Sequence, residues 1–270
     1  MADNGGGAAG TQRPAGSAGP ARGGSLPAGQ LGLSAPGDDA RLHLALALDF
    51  DDSVVAMRWA ARLKDHFGVA KVGLELFSAA GPSAVAELVD AGFKVFVDLK
   101  LADIPNTTRR AARVLGALGA SYLTVHTSMG PGTVRAAAEG FAEGADRAGL
   151  PAPVALGVTV LTSEVEASAE LVRAAVKAAR DAGCRGFVCA ASDLAWARDV
   201  AAGMIAVVPG IRLVGGEAHD QGRTATPARA VRGGADLLVV GRAVTEAEDP
   251  EGAAEAILAE VESALGKQPR

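Results

Sequence analysis

The sequence from Arg41 onward alternates between short apolar runs and longer, alanine-rich amphipathic stretches. Eight of the apolar runs have the length and composition of buried strands. They are His43–Asp49, Ala70–Leu76, Lys94–Lys100, Tyr122–Thr127, Val154–Leu161, Gly186–Ala190, Ile205–Gly210 and Asp236–Arg242. Because a helical pattern follows each run, the order predicts an α/β fold, a closed (β/α)8 TIM barrel.

An open, doubly wound sheet is the alternative fold for alternating strands and helices. Such sheets usually stop at about five or six strands, and their nucleotide-binding versions have a glycine-rich turn after the first strand. Here the first run continues into "FDDS" instead. The barrel is therefore the better prediction.

The first 38 residues have a different composition from the rest of the chain. They are dominated by Gly, Ala, Pro and Ser and have almost no large apolar side chains to bury. We expect this tail, residues 1–38, to be disordered. Residues 39–270 are expected to form a single barrel domain.

Charge and cysteine content exclude several classes of protein. The net charge is −5 and no basic run occurs, which argues against an extended nucleic-acid surface. There is no apolar run of about 18 residues and no signal-like start, so neither membrane insertion nor secretion is expected. Two cysteines, Cys184 and Cys189, are too few for a disulfide framework. We expect a cytoplasmic protein.

Polar residues gather where the predicted strands end. TIM barrels carry their active sites at this end, in the loops that follow the strands. The candidates are Asp49 after the first run, Lys71 within the second, Asp98 and Lys100 in the third, Arg212 after the seventh and Arg242 in the eighth. A polar group near so many strand ends indicates an active site rather than a purely structural barrel.

The third run lies in "FKVFVDLKLADIPNT", from Phe93 to Thr107, which concentrates the charges. Strand side chains repeat with period two, so Asp98 and Lys100 should project to one face about 6.5–7 Å apart along the strand. Asp103 follows the strand, where Pro105 permits a helix to begin. A structural ion pair beside an N-cap aspartate is the alternative reading. A functional role is favoured because buried ion pairs seldom stabilise more than apolar residues would.

The connection after the seventh run, "IRLVGGEAHDQGRTATP", is long for a compact domain. Long connections with paired glycines are often lids, and we expect Arg212–Thr226 to act as one. The loops after strands seven and eight form the common phosphate site of TIM barrels. Gly241 would admit a phosphate close to the backbone and Arg242 would bind it, whereas Arg223 is equally well explained as a surface arginine.

These blocks resemble one family. "FVDLKLADIPNT" resembles the "DxKxxD" signature of the orotidine 5′-monophosphate decarboxylases. "ALDF", "KVGLELF", "GVTVLTS", "VPGIR", "DQGRTATP" and "VVGRAVT" occur in the same order as that family's other blocks, over about Leu44 to Ile257. The resemblance implies cofactor-independent, metal-free decarboxylation of orotidine 5′-monophosphate to uridine 5′-monophosphate and CO2, the last step of de novo pyrimidine biosynthesis.

The resemblance also implies roles for particular residues. It implies a catalytic tetrad of alternating charge, Lys71, Asp98, Lys100 and Asp103. It implies substrate contacts by Asp49, Lys71, Thr107, Thr162, Ser163, Arg212, Gln221, Gly241 and Arg242. Asp103 and Thr107 would reach the site of a neighbouring subunit, so a homodimer with shared active sites is expected.

The residues suggest that catalysis depends on charged side chains held in fixed positions. Loss of CO2 leaves a carbanion at C6 of the pyrimidine, and the sequence contains no motif for pyridoxal phosphate, thiamine, flavin or a metal. An ammonium at Lys100 could stabilise that carbanion and then protonate it. Two alternatives remain: a Mg²⁺-dependent sugar-phosphate decarboxylase or lyase on the same barrel, whose members have a carboxylate at the position of Lys71, and a non-catalytic phosphate-binding barrel.

Overall fold

The computed structural model describes residues 39–160, 167–213 and 223–266. The tail expected to be disordered, residues 1–38, lies outside this part of the chain, as do Thr162, Ser163, Gln221 and most of the proposed lid. Within the described residues, eight strands pair in sequence order, and the eighth pairs with the first. All these pairings are parallel. The prediction of a closed TIM barrel is confirmed.

The strands are short and correspond one to one with the predicted runs. They are β1 (Leu44–Ala47), β2 (Val69–Val72), β3 (Lys94–Leu101), β4 (Tyr122–His126), β5 (Val154–Val158), β6 (Gly186–Val188), β7 (Ile205–Val208) and β8 (Leu237–Val240).

Ten α-helices surround the barrel in the described part of the chain. They are α1 (Ser53–Leu63), α2 (Leu74–Ala80), α3 (Pro82–Asp90), α4 (Pro105–Ala117), α5 (Gly130–Arg147), α6 (Ala169–Asp181), α7 (Leu194–Arg198), α8 (Pro227–Arg232), α9 (Arg242–Thr245) and α10 (Pro250–Ala264). None of these helices has both the length and the apolar character that crossing a membrane requires.

The strands are mostly apolar because both faces of a parallel barrel's strands are buried, and most of their polar residues lie towards the carboxyl ends. Along β1, Leu44 and Leu46 belong to the large apolar cluster that includes the helices. Ala45 and Ala47 belong to a second cluster made only of strand residues, which is the barrel interior. Phe96 is a large member of this interior cluster and also lines the cavity described below. The core therefore supports the site directly.

Seven of the eight predicted strands end earlier than expected, and two of the predicted runs extend into an α-helix. The second run was predicted to reach Leu76, but β2 ends at Val72 and Leu74 begins α2. Gly73 is the N-cap of this helix, and Leu74 is exposed, so the apolar "LEL" is not a strand surface. The eighth run was predicted to reach Arg242, which instead begins α9. Both corrections place a helix start at the carboxyl end of the barrel.

Helices α4 and α5 pack with almost no side chains between their backbones. A Cβ atom on Gly144 would lie 2.0 Å from the carbonyl oxygen of Arg113, and one on Gly140 would lie 2.3 Å from that of Arg109. In the other direction, a Cβ on Gly116 would lie 2.2 Å from the carbonyl oxygen of Phe141. These three glycines therefore set the distance between the two helices. The close packing fixes the helix that follows the charged end of β3.

Candidate active site

A cavity of about 350 Å³ opens at the carboxyl ends of the strands. Apolar residues of the barrel interior, including Ala47, Phe96 and Val239, form part of its wall. Seven of the residues predicted for the site line it, namely Asp49, Lys71, Asp98, Lys100, Arg212, Gly241 and Arg242. The cavity wall therefore combines apolar residues with several charged ones, which suits a ligand with a ring and ionised groups.

Four of these side chains form a row of alternating charge. The Nζ atom of Lys71 lies 2.9 Å from Oδ1 of Asp49 and 3.8 Å from Oδ2 of Asp98. The Nζ atom of Lys100 lies 3.0 Å from each carboxylate oxygen of Asp98. Three members of the predicted tetrad therefore meet within one chain, and Asp49 extends the row.

Asp98 is at the centre of this row and is largely buried, with its side chain 15% exposed. Burial alone would raise the pKa of its carboxyl group. The positive charges of Lys71 and Lys100 and the hydrogen bonds from Lys100 and Thr124 outweigh burial, so the pKa of Asp98 is lowered from its usual value. The carboxylate consequently stays ionised at neutral pH.

The backbone at Lys100 has an unusual conformation. Lys100 has a φ of +48°, and among the described residues it is the one non-glycine residue with a positive φ. The pairing of β3 with β4 shifts register between Val97 and Leu101. The two charged side chains do meet, as the period-two argument predicted, but a backbone irregularity accompanies the contact. Such strain is most often found at functional sites.

Thr124 on β4 supports this irregularity and was not identified from the sequence. Its side chain is fully buried. Its hydroxyl accepts a hydrogen bond from the backbone N–H of Lys100 at 2.9 Å and donates one to Oδ1 of Asp98 at 3.0 Å. A threonine is common in strands, so its polarity within "YLTVHT" gave only a weak signal.

Gly73 was also missed as a site residue. A Cβ atom at this position would lie 2.7 Å from Oδ1 of Asp49 and 2.9 Å from Nζ of Lys71. Any side chain would therefore displace one member of the ion pair. The glycine in "KVG" provides the space in which Asp49 and Lys71 meet.

Asp103 and Thr107 are exposed and do not line the cavity within their own chain. Oδ1 of Asp103 accepts a hydrogen bond from the N–H of Ile104 at 2.6 Å. The N-cap of α4 is Ile104 rather than Asp103, so the N-cap alternative is wrong in detail. The structure does not bring Asp103 to the other three members of the tetrad in one chain.

Two arginines, Arg212 and Arg242, also line the cavity. Arg212 is buried, and its Nη1 donates to the carbonyl oxygen of Ile211 at 2.8 Å. Burial lowers the pKa of Arg212, and the nearby charge of Arg242 lowers it further, while Glu246 opposes this effect. Two guanidinium groups therefore concentrate positive charge beside Gly241, and guanidinium groups are well suited to hold an anion such as phosphate.

The chain around Arg212 is held in place by its neighbours. Ile211 and Ala225 form an isolated parallel bridge, and the N–H of Arg212 donates to the carbonyl oxygen of Ala225 at 3.0 Å. Arg223 does not line the cavity, because its Nη1 lies 2.7 Å from both carboxylate oxygens of the buried Asp193. Arg223 is thus neither a cavity residue nor a surface arginine.

The chain is similar to a family of known enzymes. The model of the orotidine 5′-phosphate decarboxylase / HUMPS family matches residues 42–257. The orotidine 5′-phosphate decarboxylase of Moorella thermoacetica is 41% identical over 236 residues, which are 83% of this chain and 93% of that protein. That of Anaeromyxobacter dehalogenans is 44% identical over 227 residues, 80% of this chain and 96% of that protein.

Solved structures that resemble this chain include enzymes with the same name as these sequence relatives. The crystal structure of orotidine 5′-phosphate decarboxylase from Lactobacillus acidophilus has a TM-score of 0.70 and 34% identity, with 81% of this chain and 98% of that chain covered. The corresponding enzyme of Pyrococcus horikoshii OT3 has a TM-score of 0.65 and 28% identity, with 81% and 98% covered.

Proposed function

This chain belongs to the orotidine 5′-phosphate decarboxylase / HUMPS family, and we propose that it performs the decarboxylation with the fixed charges of its own side chains. It is a carboxy-lyase that converts orotidine 5′-monophosphate to uridine 5′-monophosphate and CO2 in pyrimidine biosynthesis. The observation that carries the proposed mechanism is the row of alternating charge formed by Asp49, Lys71, Asp98 and Lys100.

Lys100 is the proposed general acid and the group that stabilises the carbanion. Both oxygens of Asp98 hold its ammonium in the cavity wall, so the positive charge is in place before the substrate reacts. A preorganised charge stabilises a developing anion without reorganisation during the reaction. The ammonium then delivers its proton to C6 of the pyrimidine and completes the replacement of CO2 by hydrogen.

Asp98 is proposed to act on the departing carboxylate. Because the lowered pKa keeps it ionised, it repels the substrate carboxylate, and this repulsion is relieved as CO2 leaves. The amine of Lys71 occupies the space between Asp49 and Asp98. A divalent cation would have to displace that amine, so the metal-dependent alternative is not favoured.

The other substrate contacts are proposed from where the residues lie in the barrel. Asp49 and Lys71 are proposed to bind the ribose hydroxyls, while Gly241 and the arginine pair Arg212 and Arg242 bind the phosphate. Thr162 or Ser163 at the base, and Gln221 at the phosphate, are proposals on residues outside the described part of the chain. Binding of the remote phosphate contributes to a step that it does not touch.

A homodimer with shared active sites is part of the proposal. Asp103 and Thr107 are exposed beside the cavity-forming strand, and the adjacent Ile104 is an exposed large apolar side chain, 64% accessible. Exposed apolar residues of this kind suit a subunit interface. Asp103 would then complete the tetrad of the neighbouring subunit, with Thr107 beside it.

Two inactive variants test both the mechanism and the sharing. Lys100→Ala should lower kcat for orotidine 5′-monophosphate by several orders of magnitude, because the cation and the proton donor are both lost. Asp103→Ala should be nearly as inactive. The reaction is followed by the loss of orotate absorbance. Lys177→Ala, on the exposed face of α6, is the control and should retain wild-type activity.

Mixing the two variants distinguishes a shared site from a site within one chain. If Asp103 serves the neighbour, each heterodimer has one site with both lesions and one intact site. Random exchange of equal amounts should then restore about one quarter of wild-type activity in a two-fold symmetric dimer. No recovery after demonstrated subunit exchange would show that Asp103 acts in its own chain.

We also infer a cytoplasmic location and a small-molecule partner rather than nucleic acid. The net charge of −5 and the two buried, unpaired cysteines support this inference. Recovery of the protein in the membrane or secreted fraction of cells would contradict it.

A further inference from the structure

We propose that Thr124 is a positioning residue for the decarboxylation, whose single hydroxyl holds Asp98 and Lys100 in their reactive arrangement. This inference rests on the proposed roles of those two residues. Thr124 itself does not line the cavity, so it acts through them rather than on the substrate.

The hydroxyl closes a ring of contacts between two strands. It donates to Oδ1 of Asp98, and the same carboxylate accepts from Nζ of Lys100, whose own backbone N–H donates back to the hydroxyl. A hydroxyl has one donor proton and can accept at the same time. With the N–H of Lys100 as the donor to it, the hydroxyl proton is directed at Asp98.

The backbone of β3 explains why such a group is needed. The register of β3 against β4 shifts between Val97 and Leu101, and Lys100 adopts a φ of +48°. A buried N–H without a partner would be costly, and the hydroxyl of Thr124 supplies that partner from a fully buried position on β4. The same bond therefore stabilises the conformation that directs the Lys100 side chain along the wall.

The methyl group of Thr124 contributes to this function. A β-branched residue has a restricted χ1 angle, so the hydroxyl is held in one orientation. Valine preserves this shape and removes the hydroxyl. Serine preserves the hydroxyl and removes the shape, and this pair of substitutions separates the two contributions.

The first experiment compares kcat and KM of three full-length variants with orotidine 5′-monophosphate. Thr124→Val should lower kcat by about 10- to 100-fold, the effect of losing a hydrogen bond to a charged group, with a much smaller change in KM. Thr124→Ser should recover most of the lost kcat. Thr127→Val is the matched control: its buried hydroxyl donates to the carbonyl oxygen of Val158 at 2.7 Å, and its kcat should stay near wild type.

The pH profile gives a readout that a purely structural role would not change. The charged groups that act on Asp98 are Lys71 from β2 and Lys100 from β3, and Thr124 is the neutral group on β4. The hydrogen bond from Thr124 helps to lower the pKa of Asp98, so its loss should raise that pKa. Because Asp98 must be ionised to react, the acid limb of kcat/KM should move to higher pH in Thr124→Val and stay in place in Thr124→Ser.

The outcomes separate this inference from the function on which it rests. A wild-type protein without activity on orotidine 5′-monophosphate would contradict the function itself. An inactive Lys100→Ala beside a Thr124→Val with wild-type kcat and pH profile would overturn only the role of Thr124. If Thr124→Val does not fold, Thr124→Cys replaces it. An unchanged kcat and acid limb in the cysteine variant would overturn the proposal, and an intermediate loss of kcat would support it.

Discussion

Arg242 lies at the start of α9, on the wall of the cavity that it shares with Arg212. If it binds the phosphate, Arg242→Ala should lower kcat/KM for orotidine 5′-monophosphate by about a hundredfold, because a charged contact is lost. The same variant should turn over orotidine, which has no phosphate, at the wild-type rate. Comparing kcat/KM for the two substrates measures this directly.

The control for this substitution is Arg232→Ala, an exposed arginine at the end of α8 that does not line the cavity. This variant should have wild-type kcat/KM for both substrates. If Arg242→Ala lowered kcat/KM equally for the two substrates, Arg242 would support the fold rather than bind the phosphate.

Charged site residues were easier to predict from the sequence than neutral ones, although the neutral Gly241 was predicted and does line the cavity. Asp98 and Lys71 were conspicuous because a charge in an apolar strand is costly and needs an explanation. Thr124 was missed because threonine is an ordinary strand residue, and its role depends on a register shift that no local pattern encodes. Gly73 was missed because its role is to leave space. Asp103 was also predicted for the site, but it is exposed in the single chain and does not line the cavity. Its predicted role can therefore be tested only with two subunits together.

The packing of α4 against α5 makes a prediction about the elements. Gly144→Ala should destabilise the protein by about 1–3 kcal/mol, because the added methyl would overlap the carbonyl of Arg113 and force the helices apart. This cost exceeds the gain of up to about 1 kcal/mol that alanine brings to a helix. The midpoint of urea unfolding measures the effect.

Gly132→Ala, in the same helix, is the matched control. Its Cβ atom would have Pro105 as its nearest neighbour, at 3.8 Å, so there is no overlap. Stability should stay the same or rise by up to about 1 kcal/mol. A Gly144→Ala variant as stable as Gly132→Ala would mean that the two helices can separate without cost.

Element types were predictable, but where the elements end was less so. The apolar runs identified all eight strands because a parallel barrel buries both strand faces. The ends of β2 and β8 were misplaced because "LEL" and "GRAV" are apolar enough to continue a strand. Both strands end just before a helix start, at Leu74 and at Arg242, and no apolar pattern marks these two starts.

At the scale of the whole molecule, we propose that residues 39–270 are one domain and that the tail is dispensable. A short 3-10 helix, Ala40–His43, precedes β1. Asp39 caps it by accepting from the N–H of Arg41 at 3.1 Å, and Ala40 is already buried in the core. A chain that starts at residue 39 should therefore unfold at the wild-type temperature and keep wild-type kcat/KM. Thermal unfolding and the orotate assay check both.

A chain that starts at residue 48 is the control for this truncation. It lacks β1, which pairs with both β2 and β8, so the barrel cannot close and the chain should not fold. A large loss of solubility or activity on starting at residue 39 would show that the tail contributes to the domain.

At position 100 the residue that would suit the backbone best differs from the residue that catalysis requires, because Lys100 has a left-handed conformation. A φ of +48° costs an L-amino acid about 1 kcal/mol or more that glycine would not incur. Mutational drift that preserved only the fold would therefore be drawn towards glycine at position 100. The need for uridine nucleotides opposes that drift, since glycine has no amine to offer the carbanion.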